Sequence, residues 1–598
     1  MSLSTILLLA GALVAQTPDT LRAVTVVADR GVVVSRTDTV RVSASFDATD
    51  ALQALPGLYV GDYGGLAGLK SVSLRGLGSP HTAIYVDGVR VGNVQSGQTD
   101  LGILDLASFG TAVVDYAQNS VSFRTARPVF AYGRPFAGKV RFRGGSFGTW
   151  EPYARLDFRL SDKVSLSAHG SGTFTKGNYP LEGDAVRENN DLKQYRAGMD
   201  VFGLTDRGDW QAKVGYHDAD RGTPGSLSWP SEDRQKDRNF FAQGIVRQAF
   251  TDVYSLQASA KLAYDDMQYL SSWGDSRYEQ TEAQVNTSHK FQLSEHWSAS
   301  LAADLQWDKL KATDFTAERT GVVSAAAFAY VLSWLKADLA LEYAGTFDKD
   351  GLSRHAFSPS ADVRVRVLPG LDIVGFARRA YRVPTFNELY YPGYGNADLK
   401  PEDAWLTDLG VEYNTAFGAG WKLQAKVDGF YNNLKNKIIS APSPDDPFVW
   451  LPYNIGKVQA KGADVAAGLR YDDSVWTAGL QARYGFQSAL DKTPDSYTFD
   501  QQIPYVAKHT VSLTAFAGWQ GWLLTGVWNL RKDRRDGSGE MPDWNALDLT
   551  LAKTIALRGC GPLTVSVSAR NLTDQRYEVV RDYPMPGRAF YATLDFAF

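Results

Sequence analysis

The chain ends in the stretch AFYATLDFAF (589–598), and this stretch decides how the rest is interpreted. Side chains of a β-strand point alternately to opposite faces. One face here carries Phe590, Ala592, Leu594, Phe596 and Phe598. The stretch therefore predicts a strand with one apolar face and a terminal aromatic residue, as expected of a strand that closes a barrel. A terminal Phe is common by coincidence, so the inference needs the same pattern elsewhere.

The same two-residue period recurs from about Lys139 onward, while long amphipathic helices are nearly absent. Each such segment has one apolar face and one polar or charged face. Clear examples lie at 139–143, 164–169, 338–343, 511–515 and 547–551.

Two architectures produce this alternation: a soluble β-sandwich or propeller with its apolar face inward, and a membrane barrel with that face toward lipid. Arg, Asp and Glu on the polar faces favour the wet lumen of a barrel. Trp and Tyr near segment ends suit the aromatic girdles of a barrel; they are Trp150, Tyr153, Trp334, Tyr343, Tyr413, Trp421, Trp519, Trp522 and Trp528. After residue 16 no run of about 18 apolar residues occurs, which excludes a helical membrane bundle.

Composition narrows the function classes further. Charged residues make up 21% and aromatic residues 12% of the 598 residues, which rules out a disordered chain. The net charge of −4 gives no basic footprint for a nucleic-acid partner. The single cysteine, Cys560, excludes an intrachain disulfide and a Cys-based zinc site.

The barrel is predicted to span 138–598 and to have 22 antiparallel strands. That number allows about 21 residues for each strand and its connection, and a tilted spanning strand needs only about 9–11. The long polar segments 176–194, 217–237 and 441–452 are interpreted as loops outside the cell. A barrel this wide has an open lumen unless another part of the chain fills it.

Residues 1–16, MSLSTILLLAGALVAQ, fit a secretory signal peptide: an apolar core followed by small residues, too short to span a bilayer. The segment lacks Lys and Arg before the apolar core, and cleavage after either Ala15 or Gln16 fits. The alternative is a buried N-terminal strand or helix.

Residues 31–137 form a different block, interpreted as a small α+β domain. ATDALQALPGLYV (48–60) is typical of a short helix followed by a strand, and Asp87-Gly88 between two β runs is a strong hairpin signal. The Gly-rich turn lacks the GxGxxG spacing, so a nucleotide site is not expected.

Several motifs resemble those of TonB-dependent outer-membrane receptors. In the N-terminal block these are LPGLYV (55–60), SLRGLG (73–78) and IYVDGVRVG (84–92). In the barrel they are 381–405, NNLKNKI (432–438), NIGKVQAKGAD (454–464), IPYVAKHTVSL (503–513), ARNLTDQRYEVV (569–580) and PGRAFYATLDFAF (586–598). The resemblance implies a 22-stranded barrel occluded by an N-terminal plug, which imports scarce ligands across the outer membrane of a Gram-negative bacterium and is not an enzyme.

One departure concerns the segment before the barrel, 109–135, which lacks the Gly-Pro that such plugs usually carry. This variant resembles receptors of the Bacteroidetes type, including cobalamin receptors, and it leaves the plug–barrel boundary between 130 and 138.

An outer membrane has no ATP or ion gradient, so energy must arrive from a periplasmic partner, which the resemblance implies is TonB. Residues 17–30 are interpreted as the periplasmic segment that pairs with it as an added strand. The contact is placed on Ala23, Val24, Thr25, Val26, Val27 and Ala28, which are rich in strand-forming β-branched residues. The alternative is an ordinary first strand of the plug.

Three plug residues are functional candidates. Arg75, in the Gly-rich turn, either anchors the plug through barrel-wall carboxylates or makes a salt bridge within the plug. Tyr85 and Arg90 flank the Asp87-Gly88 turn and are candidates for ligand contact, although the turn itself is interpreted as structural.

Clustered acidic residues suggest Ca²⁺ in the outer loops, because Ca²⁺ prefers oxygen ligands. The candidates are Glu182, Asp184, Glu188, Asp191, Asp218 and Asp220. The alternative is a solvated acidic surface. No covalent cofactor is expected.

Cobalamin is the leading ligand hypothesis, because of the resemblance above and of SGQTDLGILDL (96–106), which is similar to that branch. Ferric siderophores are the second hypothesis and haem is the third. A haem receptor would be expected to show an iron-ligating His in 381–399, and that segment contains none. His81 in the plug turn keeps haem as an alternative. Tyr390, Tyr391 and Tyr394 either stack on a large planar ligand or form part of the lipid-interface girdle.

Two other functional classes fit the sequence less well. An outer-membrane barrel enzyme needs a catalytic cluster on the wall, and no Ser–His–Asp arrangement is readable. A passive porin would lack residues 19–137. Further expected partners are outer-membrane lipid and, as an open question, a surface lipoprotein.

Overall fold

The computed structural model describes residues 36–42, 46–131, 133–443 and 449–598. The predicted signal peptide (1–16) and periplasmic segment (17–30, including 23–28) lie outside the described residues and stay predictions. Within the described residues, no helix is long and apolar enough to cross a membrane.

The described part of the N-terminal domain combines two small sheets with one α-helix. Its elements are β1 (Thr37–Arg41), α1 (Ala48–Gln53), β2 (Leu58–Asp62), β3 (Lys70–Leu74), β4 (Ala83–Val86), β5 (Val89–Val91), β6 (Phe109–Asp115) and β7 (Ser120–Thr125). The main sheet has the order β1-β6-β7-β4-β5, and β2 pairs with β3 separately. Asp47 caps α1 by accepting hydrogen bonds from the N–H groups of Thr49 (2.9 Å) and Asp50 (3.0 Å).

Asp87 and Gly88 form the predicted two-residue turn between β4 and β5. Their φ values are 52° and 90°. Positive φ at both central residues is the requirement of the type I′ turn, which the twist of an antiparallel hairpin favours.

The rest of the chain is almost entirely β-structure. In chain order its elements are β8 (Phe136–Gly145), β9 (Thr149–Arg159), β10 (Val164–Thr175), β11 (Leu192–Thr205), β12 (Gly208–Gly225), β13 (Pro230–Ala249), β14 (Tyr254–Leu270), β15 (Ser276–Gln292), β16 (Trp297–Ala312), β17 (Thr316–Val331), β18 (Leu335–Asp348), β19 (Ser353–Leu368), β20 (Leu371–Arg382), α2 (Phe386–Tyr390), β21 (Glu402–Phe417), β22 (Trp421–Pro442), β23 (Trp450–Asp472), β24 (Trp476–Asp491), β25 (His509–Trp519), β26 (Trp522–Lys532), β27 (Arg534–Arg535), β28 (Glu540–Met541), β29 (Trp544–Leu557), β30 (Gly561–Arg570), β31 (Glu578–Val580), β32 (Tyr583–Pro584) and β33 (Ala589–Ala597).

A closed antiparallel barrel contains 22 of these strands, and only the short pairs β27–β28 and β31–β32 stand apart from it. The ring closes where β33 pairs with both β30 and β8. At the seam, the Phe598 N–H donates to the Gly138 carbonyl (2.9 Å), and the Gly138 N–H donates to the Phe598 carbonyl (2.8 Å). The prediction of a 22-stranded barrel with an N-terminal plug is confirmed.

Apolar side chains of the barrel strands lie mainly on the outer face, and charged side chains lie mainly on the inner face. Val140 and Phe142, on the outer face of β8, are each 46% exposed. Inward-facing Asp200, Glu282 and Asp428 are instead buried, because the N-terminal domain fills the lumen and covers them. Val, Leu and Phe therefore line the surface that meets lipid, as the alternation predicts.

Some strands are far longer than a membrane requires, and this corrects one prediction. β12 has 18 residues and β13 has 20, so only 226–229 remain between them. The interpretation of 217–237 as an outer loop was wrong, and Asp218 and Asp220 lie on β12. Above the membrane both faces of a strand are wet, so its composition resembles that of a loop although its backbone pairing continues.

The other two predicted loops are shortened in the same way. β11 begins at Leu192, within 176–194. β22 ends at Pro442 and β23 begins at Trp450, both within 441–452.

Candidate functional site

Arg75 of the plug lies between two carboxylates of the barrel wall. Its guanidinium donates to Asp408 on β21 (2.7 Å) and to Asp464 on β23 (3.1 Å). The same guanidinium lies over the rings of Tyr116 (4.5 Å) and Phe430 (4.4 Å). All four partners are buried, so the cation is held in a dry environment where unpaired charge is costly. Arg75 therefore contacts carboxylates of the barrel wall, and its role as an anchor of the plug stays a prediction.

A second plug arginine extends this arrangement. Arg36 donates from Nε to Asp428 on β22 (2.7 Å), pairs again with that carboxylate through Nη2, and donates to Glu412 on β21 (3.3 Å). In return, Lys426 of the barrel donates to Asp38 of the plug (2.7 Å). We call this set the charge cluster; its members are Arg36, Asp38, Arg75, Asp408, Glu412, Lys426, Asp428 and Asp464.

The plug members of the charge cluster are held in their charged forms. Burial alone would lower the pKa of Arg36, but the hydrogen bond and the charge of Asp428 outweigh it and raise that pKa above its ordinary value. Burial would raise the pKa of Asp38, but the charges of Lys426 and Arg36 leave it below the usual range. Arg36 and Asp38 therefore keep the charges through which they pair with β21 and β22.

Further ion pairs join the plug to other parts of the barrel. Asp87 pairs with Lys213 on β12 (2.9 Å), and Asp100 pairs with Arg221 on the same strand (2.9 Å). His81 contacts Glu402 at the start of β21 (2.5 Å), and Asp50 pairs with Arg570 on β30. Asp87 thus combines its turn role with a contact to the wall that sequence reasoning missed.

Plug residues 92–100 meet the loop between β20 and β21, which contains α2. The N–H groups of Phe386 and Asn387 donate to the carbonyls of Val94 (2.9 Å) and Gln95 (3.1 Å). Beside this contact, Ser96 and Gln98 of the plug are exposed. We call residues 92–100 together with 383–401 the mouth site.

The three predicted tyrosines lie in the mouth site. The Tyr390 hydroxyl donates to Asp348 (2.8 Å), and the Tyr394 hydroxyl bonds with Ser440 (2.7 Å). The Tyr391 ring packs against Phe315, with 6.1 Å between centroids.

Tyr85 and Arg90 lie apart from those tyrosines. They are directly paired across β4 and β5. The Arg90 carbonyl accepts hydrogen bonds from Lys261 and Gln284 on the barrel wall, both at 2.9 Å. No contact joins either residue to Tyr390, Tyr391 or Tyr394 in the described ranges.

A group of aromatic side chains from the barrel packs beside Tyr63 of the plug. No local pattern in the sequence predicted this group. Tyr63 of the plug meets Tyr583 of an outer loop (5.1 Å between centroids), and Trp544 stacks on Tyr577 (4.5 Å). The Tyr179 hydroxyl adds a hydrogen bond to the Pro584 carbonyl (2.6 Å). Through Tyr63 and Tyr583, this group joins the plug to the loop after β30.

The predicted calcium ligands are arranged mostly around arginines. Arg234 binds Asp191 (2.9 Å) and Asp220 (2.7 Å), and Arg238 binds Asp218 (3.3 Å). Glu182, Asp184 and Glu188 are exposed on the loop after β10. Across the described residues, no group of three or more His, Cys, Asp or Glu side chains is placed to hold a metal ion. Calcium binding stays a prediction.

Comparison with known protein families agrees with this architecture. Residues 170–572 match the family described as "TonB dependent receptor-like, beta-barrel", and residues 26–126 match the "TonB-dependent Receptor Plug Domain". The chain belongs to the TonB-dependent receptor family. It is therefore an outer-membrane protein of a Gram-negative bacterium, and this family consists of receptors and transporters that work with TonB on small-molecule ligands.

Similar curated proteins include the "Vitamin B12 transporter BtuB" of Vibrio vulnificus. It is 22% identical over 587 residues, which cover 92% of this chain and 90% of that protein. The protein of the same name from Photobacterium profundum is 22% identical over 581 residues, with 92% and 89% covered.

Similar solved structures include the copper transporter OprC (TM-score 0.78, 14% identity, 94% of this chain and 98% of that chain). The FrpB iron transporter of Neisseria meningitidis follows with a TM-score of 0.77 at 14% identity, covering 94% and 99%. At such identities these likenesses establish the fold alone.

Loss of the Arg75 cation is predicted to loosen the plug. Arg75→Met leaves Asp408 and Asp464 buried without the cation they share, which is expected to lower the free energy of plug unfolding by about 3–5 kcal/mol. The measurement is guanidinium-dependent hydrogen exchange of the β2 and β3 amides in the full chain.

The matched control is Arg379→Met, which breaks a partly exposed ion pair to Asp403 (2.8 Å) on the barrel. That change is expected to alter plug stability by less than about 1 kcal/mol. Equal effects of the two substitutions would contradict an anchoring role for Arg75.

Proposed function

We propose that the protein imports cobalamin across the outer membrane by a TonB-dependent mechanism. The observation that carries the choice of ligand is the match, over nine-tenths of the chain, to two proteins named vitamin B12 transporters. The copper and iron transporters share the fold, but their likeness does not extend to sequence. A Bacteroidetes-type branch within the family remains part of this proposal and rests on the motifs in 96–106 and 109–135.

The mouth site is the proposed place of ligand capture. It combines exposed polar groups of the plug, Ser96 and Gln98, with the Tyr391 ring of the neighbouring loop. A corrin ring offers a broad apolar face for an aromatic side chain and an amide-rich rim for hydrogen bonds. Because 92–100 belongs to the plug, ligand bound here touches the domain that must move.

The charge cluster is the proposed resistance that TonB must overcome. It lies at the N-terminal end of the described plug, where Arg36 and Asp38 flank the start of β1. A force applied through residues 17–30 reaches Arg36 before any other described residue. Breaking its bonds to Asp428 and Glu412 separates β1 from the wall, while the mouth site still holds the ligand.

Two other roles are proposed for the outer surface. Ca²⁺ would order the loop that carries Glu182, Asp184 and Glu188, and a surface lipoprotein would deliver ligand to the mouth. Haem is a weaker candidate ligand, because Nε2 of His81 is engaged by Glu402 (2.5 Å).

Ligand identity is tested by direct binding. Purified protein is titrated with cyanocobalamin, a ferric siderophore and haem in parallel, by calorimetry in detergent. Cobalamin is expected to bind with the lowest Kd. Tighter binding of a ferric siderophore would overturn the cobalamin assignment and leave the transport class intact.

The mouth site is tested by Tyr391→Ala in the same titration. Loss of ring stacking is expected to cost about 1 kcal/mol, which is roughly a fivefold rise in the Kd of cobalamin. Tyr413→Ala removes a tyrosine from the outer wall and is expected to leave the Kd unchanged. An unchanged Kd in Tyr391→Ala would place the ligand elsewhere.

The TonB contact is tested by proline substitution. Val26→Pro removes a backbone donor needed for strand pairing, so it is expected to abolish energised uptake of radiolabelled cobalamin by whole cells. The Kd of the purified variant should not change. Val26→Thr keeps the N–H and the β-branch and should transport normally. Normal uptake by the proline variant would mean that 23–28 is not the contact.

A further inference from the structure

A hollow of about 720 Å³ lies on the barrel wall across β11–β16. Its outward-facing floor is made of small residues, and larger apolar side chains stand around it. The small residues are Ala212, Ala242, Gly244, Ala260 and Ala283; the larger ones include Met199, Leu262, Leu305 and Trp307. The hollow belongs to the lipid-facing surface and therefore takes an apolar occupant.

Toward the extracellular end of the same strands, the outer face changes character in two steps. Two residues above the hollow the outward side chains are aromatic on β12, β13 and β14, namely Tyr216, Phe240 and Tyr264, which are neighbours across the ladder. Two residues further they are charged. Asp218, Arg238, Asp266, Glu279 and Lys311 follow one another across β12–β16 in a single hydrogen-bonded register.

In and beside this charged row, where Arg277 lies two residues from Glu279 on β15, the cations are more exposed than the carboxylates that they pair with. Arg277 is 51% exposed, while its partner Asp266 (2.8 Å) is 6% exposed. Lys311 is 68% exposed against 23% for Glu279 (3.0 Å). These cations are therefore more accessible to a bound anion than the carboxylates that they pair with.

Three more lysines strengthen the positive charge of this face. Lys193, Lys236 and Lys309 are all exposed at outward positions of β11, β13 and β16. Among the described residues, neither Lys193 nor Lys309 has a carboxylate oxygen within 4 Å of its ammonium. Lys193 and Lys309 therefore add positive charge beside the exposed, carboxylate-paired cations Arg238, Arg277 and Lys311.

We propose that the outer face of β11–β16 is a docking site for an outer-leaflet lipid that carries phosphate groups and several acyl chains. The acyl chains occupy the hollow, and Arg238, Arg277 and Lys311 bind the phosphates. Guanidinium and ammonium groups above an apolar surface suit such an amphiphile. The cations attract its phosphate groups, and the apolar surface packs against its acyl chains. This inference is independent of the ligand that the receptor imports.

The test uses the full chain in detergent and counts bound lipid by native mass spectrometry. Diphosphoryl lipid A is expected to bind, its dephosphorylated form to bind at least tenfold more weakly, and inorganic phosphate not to compete at equal concentration. Equal binding of the dephosphorylated lipid would overturn the proposal, as would displacement of the lipid by inorganic phosphate.

Two sets of variants locate the site. Arg238→Gln with Lys311→Gln removes two exposed cations without exposing an apolar surface, and it is expected to weaken lipid A binding at least tenfold. The matched control, Lys435→Gln with Lys461→Gln, removes two exposed outward cations from β22 and β23 and should bind as the unmodified chain does.

Filling the hollow tests the acyl chains separately. Ala242→Phe with Ala260→Phe leaves every cation in place and is expected to reduce lipid A binding several-fold. Full binding by this variant or by the Arg238 and Lys311 variant would overturn the proposal. So would a lipid-free dimer that the filled hollow abolishes, because the hollow would then be a contact between copies.

Discussion

Inside a bilayer every backbone N–H and C=O group must find its partner within the protein, and the rest of this structure follows from that constraint. Pairing of β33 with β8 leaves no free strand edge in the ring. A ring of 22 strands is too wide to be filled by its own side chains. The chain therefore needs a separate domain in the lumen. The inner face of each strand must be polar to contact that domain, while the outer face is apolar.

The polar face explains why the plug is held by charge. Inward positions of β21–β23 carry Asp408, Asp428 and Asp464, which are covered once the plug is in place. Arg36 and Arg75 compensate them, and the aromatic rings of Tyr116 and Phe430 enclose the Arg75 cation. Such pairs add little net stability, but they are costly to break singly. This suits a domain that stays seated until force is applied at one end.

Much of the fold was predictable from the sequence, because strand periodicity is local. The alternation in 589–598 and its repeats indicated the barrel, and the Asp87-Gly88 dipeptide indicated the hairpin. Asp218 and Asp220 were assigned to a loop, although they lie on β12. The part of a strand that extends into water needs no apolar face, so its sequence lacks the alternation that identifies a strand. The partners of Arg75 lie 333 and 389 residues away, and no local pattern encodes such a pairing. The stacking of Trp544 on Tyr577 was missed for the same reason.

The central claim is that a lipid-facing barrel encloses a separately folded plug, and single-channel conductance in a planar bilayer tests it most directly. The full chain is compared with a variant that lacks residues 19–131. The account predicts that the full chain gives almost no steady current and that the shortened chain forms large, persistent pores. Similar currents from the two proteins would contradict it.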